Sequence, residues 1–198
     1  MDTKFIIIVG KTCTGKDTFV KELCRLNENI VELKNCTTRP KRNENEDTYN
    51  FITPREMFKM LINDELIECQ EYNDWFYGTE KKAINEGKIN VVSLAIERAN
   101  LYYDYLKEKN LLNNALVIFM FASEQERVNR YIKRLMKDDK MNLENLSELV
   151  RRFKTEEKDY KMNALEDFPN KIYFNTDKEK YKADKEKVIS KVKEMIGE

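Results

Sequence analysis

The chain holds 198 residues, enough for one α/β domain with a full core. Its 36 lysines and arginines balance 36 aspartates and glutamates, which argues against a broad basic surface and so against generic nucleic-acid coating. Histidine is absent, which excludes Ser-His-Asp and Cys-His catalysis, and Cys13, Cys24, Cys36 and Cys69 form no C-x-x-C pair, so reduced thiols in a cytoplasmic setting are expected.

No run is long enough to span a bilayer, and Met1 to Val9 does not read as a signal peptide, so no membrane role is expected. Phe5 to Val9 is a continuous apolar run, as in a strand buried on both faces. A helix is expected from about Asp17 to Leu26 and a strand at Ile30 to Leu33, followed by an irregular polar stretch from Lys34 to Glu46. Thr53-Pro54-Arg55-Glu56 reads as a helix start, with Met57, Phe58, Leu61 and Ile62 as its apolar stripe. Leu66 to Tyr72 reads as a strand, Thr79 to Glu86 as a short helix closed by Gly87, and Ile89 to Leu94 as another strand. A helix to about Lys109 and a strand from Ala115 to Ala122 come next. Two amphipathic helices then carry the stripes Val128, Tyr131, Ile132, Leu135 and Leu146, Leu149, Val150, Phe153. Lys171 to Asn175 is a last strand before a charged C-terminal helix. Alternating strands and helices predict an α/β fold with a central parallel sheet.

Between the first strand and helix stands Gly10-Lys11-Thr12-Cys13-Thr14-Gly15-Lys16, a G-x-x-x-x-G-K phosphate loop in its proper context. Its glycines let backbone N–H groups turn inward on an anion, the helix N-terminus adds its dipole, and Lys16 reaches the β- and γ-phosphates of ATP. The residue after the lysine is Asp17, followed by Thr18. Either can supply the oxygen ligand for Mg²⁺.

Downstream run Cys36-Thr37-Thr38-Arg39-Pro40-Lys41-Arg42, Glu44, Glu46, Tyr49-Asn50-Phe51, Leu66-Ile67-Glu68 and Trp75-Phe76-Tyr77-Gly78-Thr79. Arginines three apart on an irregular segment can fork around a phosphate dianion. With the phosphate loop, this ordered set resembles guanylate kinases, whose pattern is T-T-R-x-x-R, N/G-E, Y-x-F, F/L-I-E and Y-Y-G-S/T, and the resemblance covers nearly the whole chain. It implies the P-loop three-layer fold: a core of residues 1–34, 88–126 and 155–198, a nucleoside-monophosphate arm of 35–87 and a helical lid of 127–154. It also implies that Arg39, Arg42, Tyr49 and Tyr77 clamp the acceptor phosphate, with Glu46 preferred over Glu44 as the accompanying carboxylate. Glu68 would accept from guanine N1–H and the 2-amino group, with Thr79 and Asn35 beside the base.

The usual D-x-D of the next strand is here Ser93-Leu94-Ala95, which opens base specificity to dGMP or another nucleotide. On the lid, Arg127, Arg130 and Arg134 share a face. The family's lid arginines match Arg130, Arg134 and Arg152, which spread charge on the transferring phosphate, and Asn175 matches a short segment near adenine. The expected activity is transfer of the ATP γ-phosphate to GMP or dGMP, with Mg²⁺. A broader nucleotide kinase, a sugar-phosphate kinase and a non-catalytic binding module stand as alternatives. The partners expected are small-molecule nucleotides, with a homodimer left open.

Overall fold

The computed structural model describes residues 2–41, 44–159 and 166–197. Five strands form a parallel sheet in the order β2 (Ile30–Glu32), β7 (Ile89–Leu94), β1 (Lys4–Gly10), β8 (Ala115–Phe121), β9 (Lys171–Asn175). Alternation along β1 explains why its run is apolar without a break. Phe5, Ile7 and Val9 face one layer, with Tyr102 and Leu106 of α3 (Ile96–Glu108). Ile6 and Ile8 face the other, with Phe19, Val20 and Leu23 of α1 (Lys16–Leu26) and Val188 and Val192 of α6 (Tyr181–Ile196). Helices on both faces make the three-layer α/β architecture that the alternating pattern predicts.

A second sheet of four strands stands apart, in the order β4 (Asn50–Phe51), β3 (Cys36–Thr37), β6 (Trp75–Glu80), β5 (Leu66–Tyr72). Its β5–β6 hairpin turns on Asn73 and Asp74, at φ 55° and 64°, the pair of left-handed residues that a tight two-residue hairpin needs. Against this sheet packs α2 (Pro54–Ile62), whose start is fixed by a reciprocal cap between Thr53 and Glu56 with proline at the first turn. The helical pair α4 (Glu124–Lys137) and α5 (Leu143–Asp159) closes over Tyr131, Leu135 and Leu149.

Four expectations are corrected. Of the stripe expected on α2 only Met57 is buried, while Phe58, Leu61 and Ile62 are exposed. Thr79 and Glu80 end strand β6, and the expected helix shrinks to one 3₁₀ turn at Lys81–Ala83. Pairing of β6 with both β5 and β3 outweighs the weak helical preference of so short a segment. The stretch from Lys34 to Glu46 is not wholly irregular, because Cys36 and Thr37 join that sheet. Val150, placed on the apolar stripe of α5, is 52% exposed. The packing seam runs instead through Leu146, Leu149 and Phe153.

Candidate nucleotide site

The loop from β1 to α1 is shaped by two glycines. A methyl group on Gly10 would stand 2.4 Å from the Met120 carbonyl oxygen and 2.7 Å from Thr14 Oγ1, so only glycine lets the loop lie against β8. Gly15 sits at φ +96°, where a side chain is strained. Within the loop Thr14 Oγ1 donates to the Lys11 carbonyl at 2.9 Å. Lys16 Nζ donates to the carbonyls of Gly10 at 2.6 Å and Lys11 at 3.2 Å. Burial lowers the Lys16 pKa, while the charges of Asp17 and Glu156 oppose that shift. The Thr12 N–H donates to Glu156 Oε1 at 2.6 Å, and Arg127 bridges the same carboxylate to the Thr12 carbonyl. Glu156 was not anticipated from the sequence. One glutamate on a highly charged helix carries no local signal.

Asp17 is exposed at the start of α1, and Ser93 Oγ at the end of β7 donates to its Oδ1 at 3.3 Å. The P-loop pair that holds Mg²⁺ is a hydroxyl after the lysine and a carboxylate on a neighbouring strand. Here the two residue types are exchanged between the same two places. Both groups are hard oxygen donors of the kind Mg²⁺ takes, so the set fits that ion. Thr18 is also exposed, on the next position of the helix.

On the other side of β7, the Asn35 side-chain amide donates to the Ser93 carbonyl at 3.0 Å. Asn35 Oδ1 accepts from Thr79 Oγ1 at 2.6 Å, and Thr79 Oγ1 lies 2.6 Å from Glu68 Oε1. The three residues that sequence reasoning grouped around a base therefore meet. A fourth, Arg98 of α3, completes the cluster, with Nε 2.6 Å from Glu68 Oε2 and Nη2 2.5 Å from Glu68 Oε1. Arg98 went unnoticed in the sequence although a signal exists. It lies between Ile96, Ala99 and Tyr102, on the inward face of a helix, where a cation demands a carboxylate partner.

Arg39 is gripped by Glu46 through Nη2–Oε1 at 2.7 Å and Nη1–Oε2 at 3.3 Å, and its guanidinium lies against the rings of Tyr49 and Phe51. Tyr49 and Tyr77 meet edge to face at 5.7 Å. Arg39, Glu46, Tyr49 and Tyr77 thus form one patch, while Glu44 is exposed. Arg42 lies outside the described residues.

The helical arginines divide by partner. Arg130 Nη1 donates to the carbonyls of Cys13 at 3.2 Å and Thr14 at 3.3 Å and to Thr176 Oγ1 at 3.0 Å, bracing the loop from behind. Arg134 is exposed and stacks on Tyr131. Arg151 and Arg152 both hold Glu148, which pushes its carboxyl down to about 2. Arg151 also donates to the Tyr72 hydroxyl at 3.2 Å, joining α5 to the β5–β6 hairpin. The Asn175 side-chain oxygen accepts from the Asp177 N–H at 2.9 Å and shapes the turn after β9.

A parallel sheet of order β2-β7-β1-β8-β9 with a glycine-lysine loop after β1 defines a P-loop nucleotide-binding protein. The family model for guanylate kinase matches residues 2–176, and the chain belongs to that family. It is 31% identical over 138 residues to the guanylate kinase of Thermotoga maritima, spanning 65% of this chain and 64% of that protein, a little under two thirds of the relative's length. It is 31% identical over 136 residues to that of Prochlorococcus marinus subsp. pastoris, spanning 66% of this chain and 71% of that protein. The crystal structure of guanylate kinase from Anaplasma phagocytophilum superposes with a TM-score of 0.59 at 20% identity, covering 98% of this chain and 87% of that one, and supports the fold.

Proposed function

We propose that the chain transfers the γ-phosphate of ATP to a nucleoside monophosphate, with GMP and dGMP the acceptors that family membership favours. One observation carries the reading: Ser93 touches both halves of the site. Its hydroxyl meets Asp17 beside the phosphate loop, and its carbonyl meets Asn35 of the second cluster. The phosphate loop and the corner proposed to face the acceptor base are therefore linked through a single residue.

In this reading residues 1–34, 88–126 and 155–198 form the core, 35–87 the acceptor arm and 127–154 the lid. Loop amides and Lys16 hold the ATP phosphates. Arg39, steadied by Glu46, and the hydroxyls of Tyr49 and Tyr77 hold the acceptor phosphate, with Arg42 as second cation. Arg134 and Arg152 approach the transferring group as the lid closes, and Arg130 keeps the loop in shape. Mg²⁺, held by Asp17 with Ser93 or Thr18, would neutralise charge between the transferring phosphates. The acceptor phosphate is already anionic at neutral pH, so no general base is needed and the absence of histidine costs nothing. Closure of arm and lid expels water and prevents hydrolysis of ATP. The four cysteines are free, as suits the cytoplasmic setting proposed for the enzyme, and among the described residues no helix is long and apolar enough to cross a membrane.

The test is a coupled assay with ATP and Mg²⁺ across GMP, dGMP, AMP, dTMP and ribose bisphosphate. Transfer to GMP and dGMP is expected. Transfer to none of the nucleoside monophosphates, with ATP binding absent in a titration, overturns the reading in favour of a binding module.

A further inference from the structure

The corner formed by Asn35, Glu68, Thr79 and Arg98 has every acceptor edge in use. Glu68 Oε1 lies within hydrogen-bond reach of Arg98 Nη2 and Thr79 Oγ1, and Oε2 accepts from Arg98 Nε. Asn35 Oδ1 accepts from Thr79 Oγ1, and Arg98 Nη2 lies 3.0 Å from it. The side chains of Arg98 and Glu68 are 6% and 0% exposed.

The chemistry of this fork is telling. A carboxylate reads guanine by accepting two parallel N–H bonds, from N1–H and the 2-amino group. Those two nitrogens flank one carbon and form part of a guanidine. Arg98 presents the same unit, Nε–Cζ–Nη2, to the same bidentate edge of Glu68. The pair is buried, so withdrawing the arginine would leave an uncompensated carboxylate in a dry corner.

We propose that Arg98 is a specificity-determining residue that occupies, as an internal stand-in for guanine's donor edge, the carboxylate a guanine base would need. The site then selects nucleoside monophosphates by phosphate and shape, with little dependence on the 2-amino group. Purine nucleotides that lack it, such as IMP, are accepted alongside GMP. This inference rests on the proposed function in taking the corner as the base site. It departs from what the family resemblance implies in denying Glu68 the role of guanine reader in the resting protein.

The experiment compares GMP with IMP, which differ only in the 2-amino group, by calorimetric titration of the full chain and by transfer kinetics. For the wild-type chain the affinity ratio is expected within about tenfold, whereas a site built to hydrogen-bond that group discriminates by several orders of magnitude. Arg98→Ala frees the edge of Glu68 and should raise the ratio toward GMP by about tenfold or more. The double variant Arg98→Ala with Glu68→Gln should lose that gain. A wild-type ratio above about a hundredfold overturns the proposal without recourse to any variant that fails to fold. So does a folded Arg98→Ala chain whose ratio is unchanged or lower. Titration does not depend on chemistry, so binding of both nucleotides without transfer would sink the kinase reading and leave the Arg98 result legible. Failure of both to bind sinks both.

Discussion

Glu156 Oε1 and the Thr12 backbone nitrogen stand 2.6 Å apart, so a carboxylate from α5 holds one of the phosphate loop's own N–H donors. In the proposed function, ATP must displace it or tolerate its negative charge. Glu156→Gln keeps the shape and a hydrogen bond to Arg127 while removing that charge. ATP affinity is expected to rise several-fold, on the order of 1 kcal/mol for one charge-assisted hydrogen bond. A calorimetric titration that found weaker ATP binding in this variant would instead make Glu156 a support for the loop.

Lys16 spends its hydrogen bonds on the carbonyls of Gly10 and Lys11, and burial lowers its pKa. An incoming triphosphate gives that charge a partner and raises the pKa again. Two outcomes are expected. Lys16→Ala should cut kcat by about 10²–10³-fold with the circular dichroism spectrum unchanged, the usual loss when one positioned donor to developing charge is removed. In the wild-type chain, ATP affinity should decline as pH rises through the lowered pKa, and binding at alkaline pH should take up protons. Titration in buffers of different ionisation enthalpy measures that uptake, and zero uptake contradicts the assignment.

The contact of Gly10 with β8 makes a stability prediction. Gly10→Ala puts a carbon 2.4 Å from a carbonyl oxygen of the central sheet, and a loss of about 1–3 kcal/mol is expected from overpacking. Gly197 serves as the contrast, since an added carbon meets nothing within 4 Å there and only its φ of +85° resists. Thermal denaturation should show a larger fall in Tm for Gly10→Ala than for Gly197→Ala.

The ion pairs of α5 predict an acid profile. Arg151 first, and Arg152 after burial has pulled the other way, hold the Glu148 carboxyl at about 2, below its ordinary value of 4.5. Because the folded-state value is depressed, the stabilisation is fully present above pH 4.5 and is lost as pH falls toward about 2. Glu148 is partly exposed, so the contribution is discounted to about 1 kcal/mol. The stability difference between wild type and Glu148→Gln should therefore shrink through that window and vanish near its lower end. A difference that stays constant across it contradicts the pairing.

Much of this architecture could be read from the chain because local and global signals agree. The apolar run of β1, the glycines and the capped start of α2 each have one conformation that suits them. Strand β6 was missed because Trp75 to Glu80 lacks a clean alternation. The clue lay in Asn73-Asp74, whose left-handed conformations make the hairpin. Asn35, Glu68 and Thr79 could be grouped from motif order, and so could the patch of Arg39, Glu46, Tyr49 and Tyr77. Arg98 and Glu156 could not, because each takes its meaning from a partner distant in sequence: 30 residues separate Arg98 from Glu68, and 144 separate Glu156 from Thr12. Only folding reveals which of many charged residues meet.

The bond between Arg151 and the Tyr72 hydroxyl ties a helix of one overhang to the hairpin tip of the other. A partly exposed hydrogen bond with ring stacking holds with only about 1–2 kcal/mol. A fastening this weak parts at small energetic cost. In the proposed kinase it would join the two overhangs across the site without barring the departure of product.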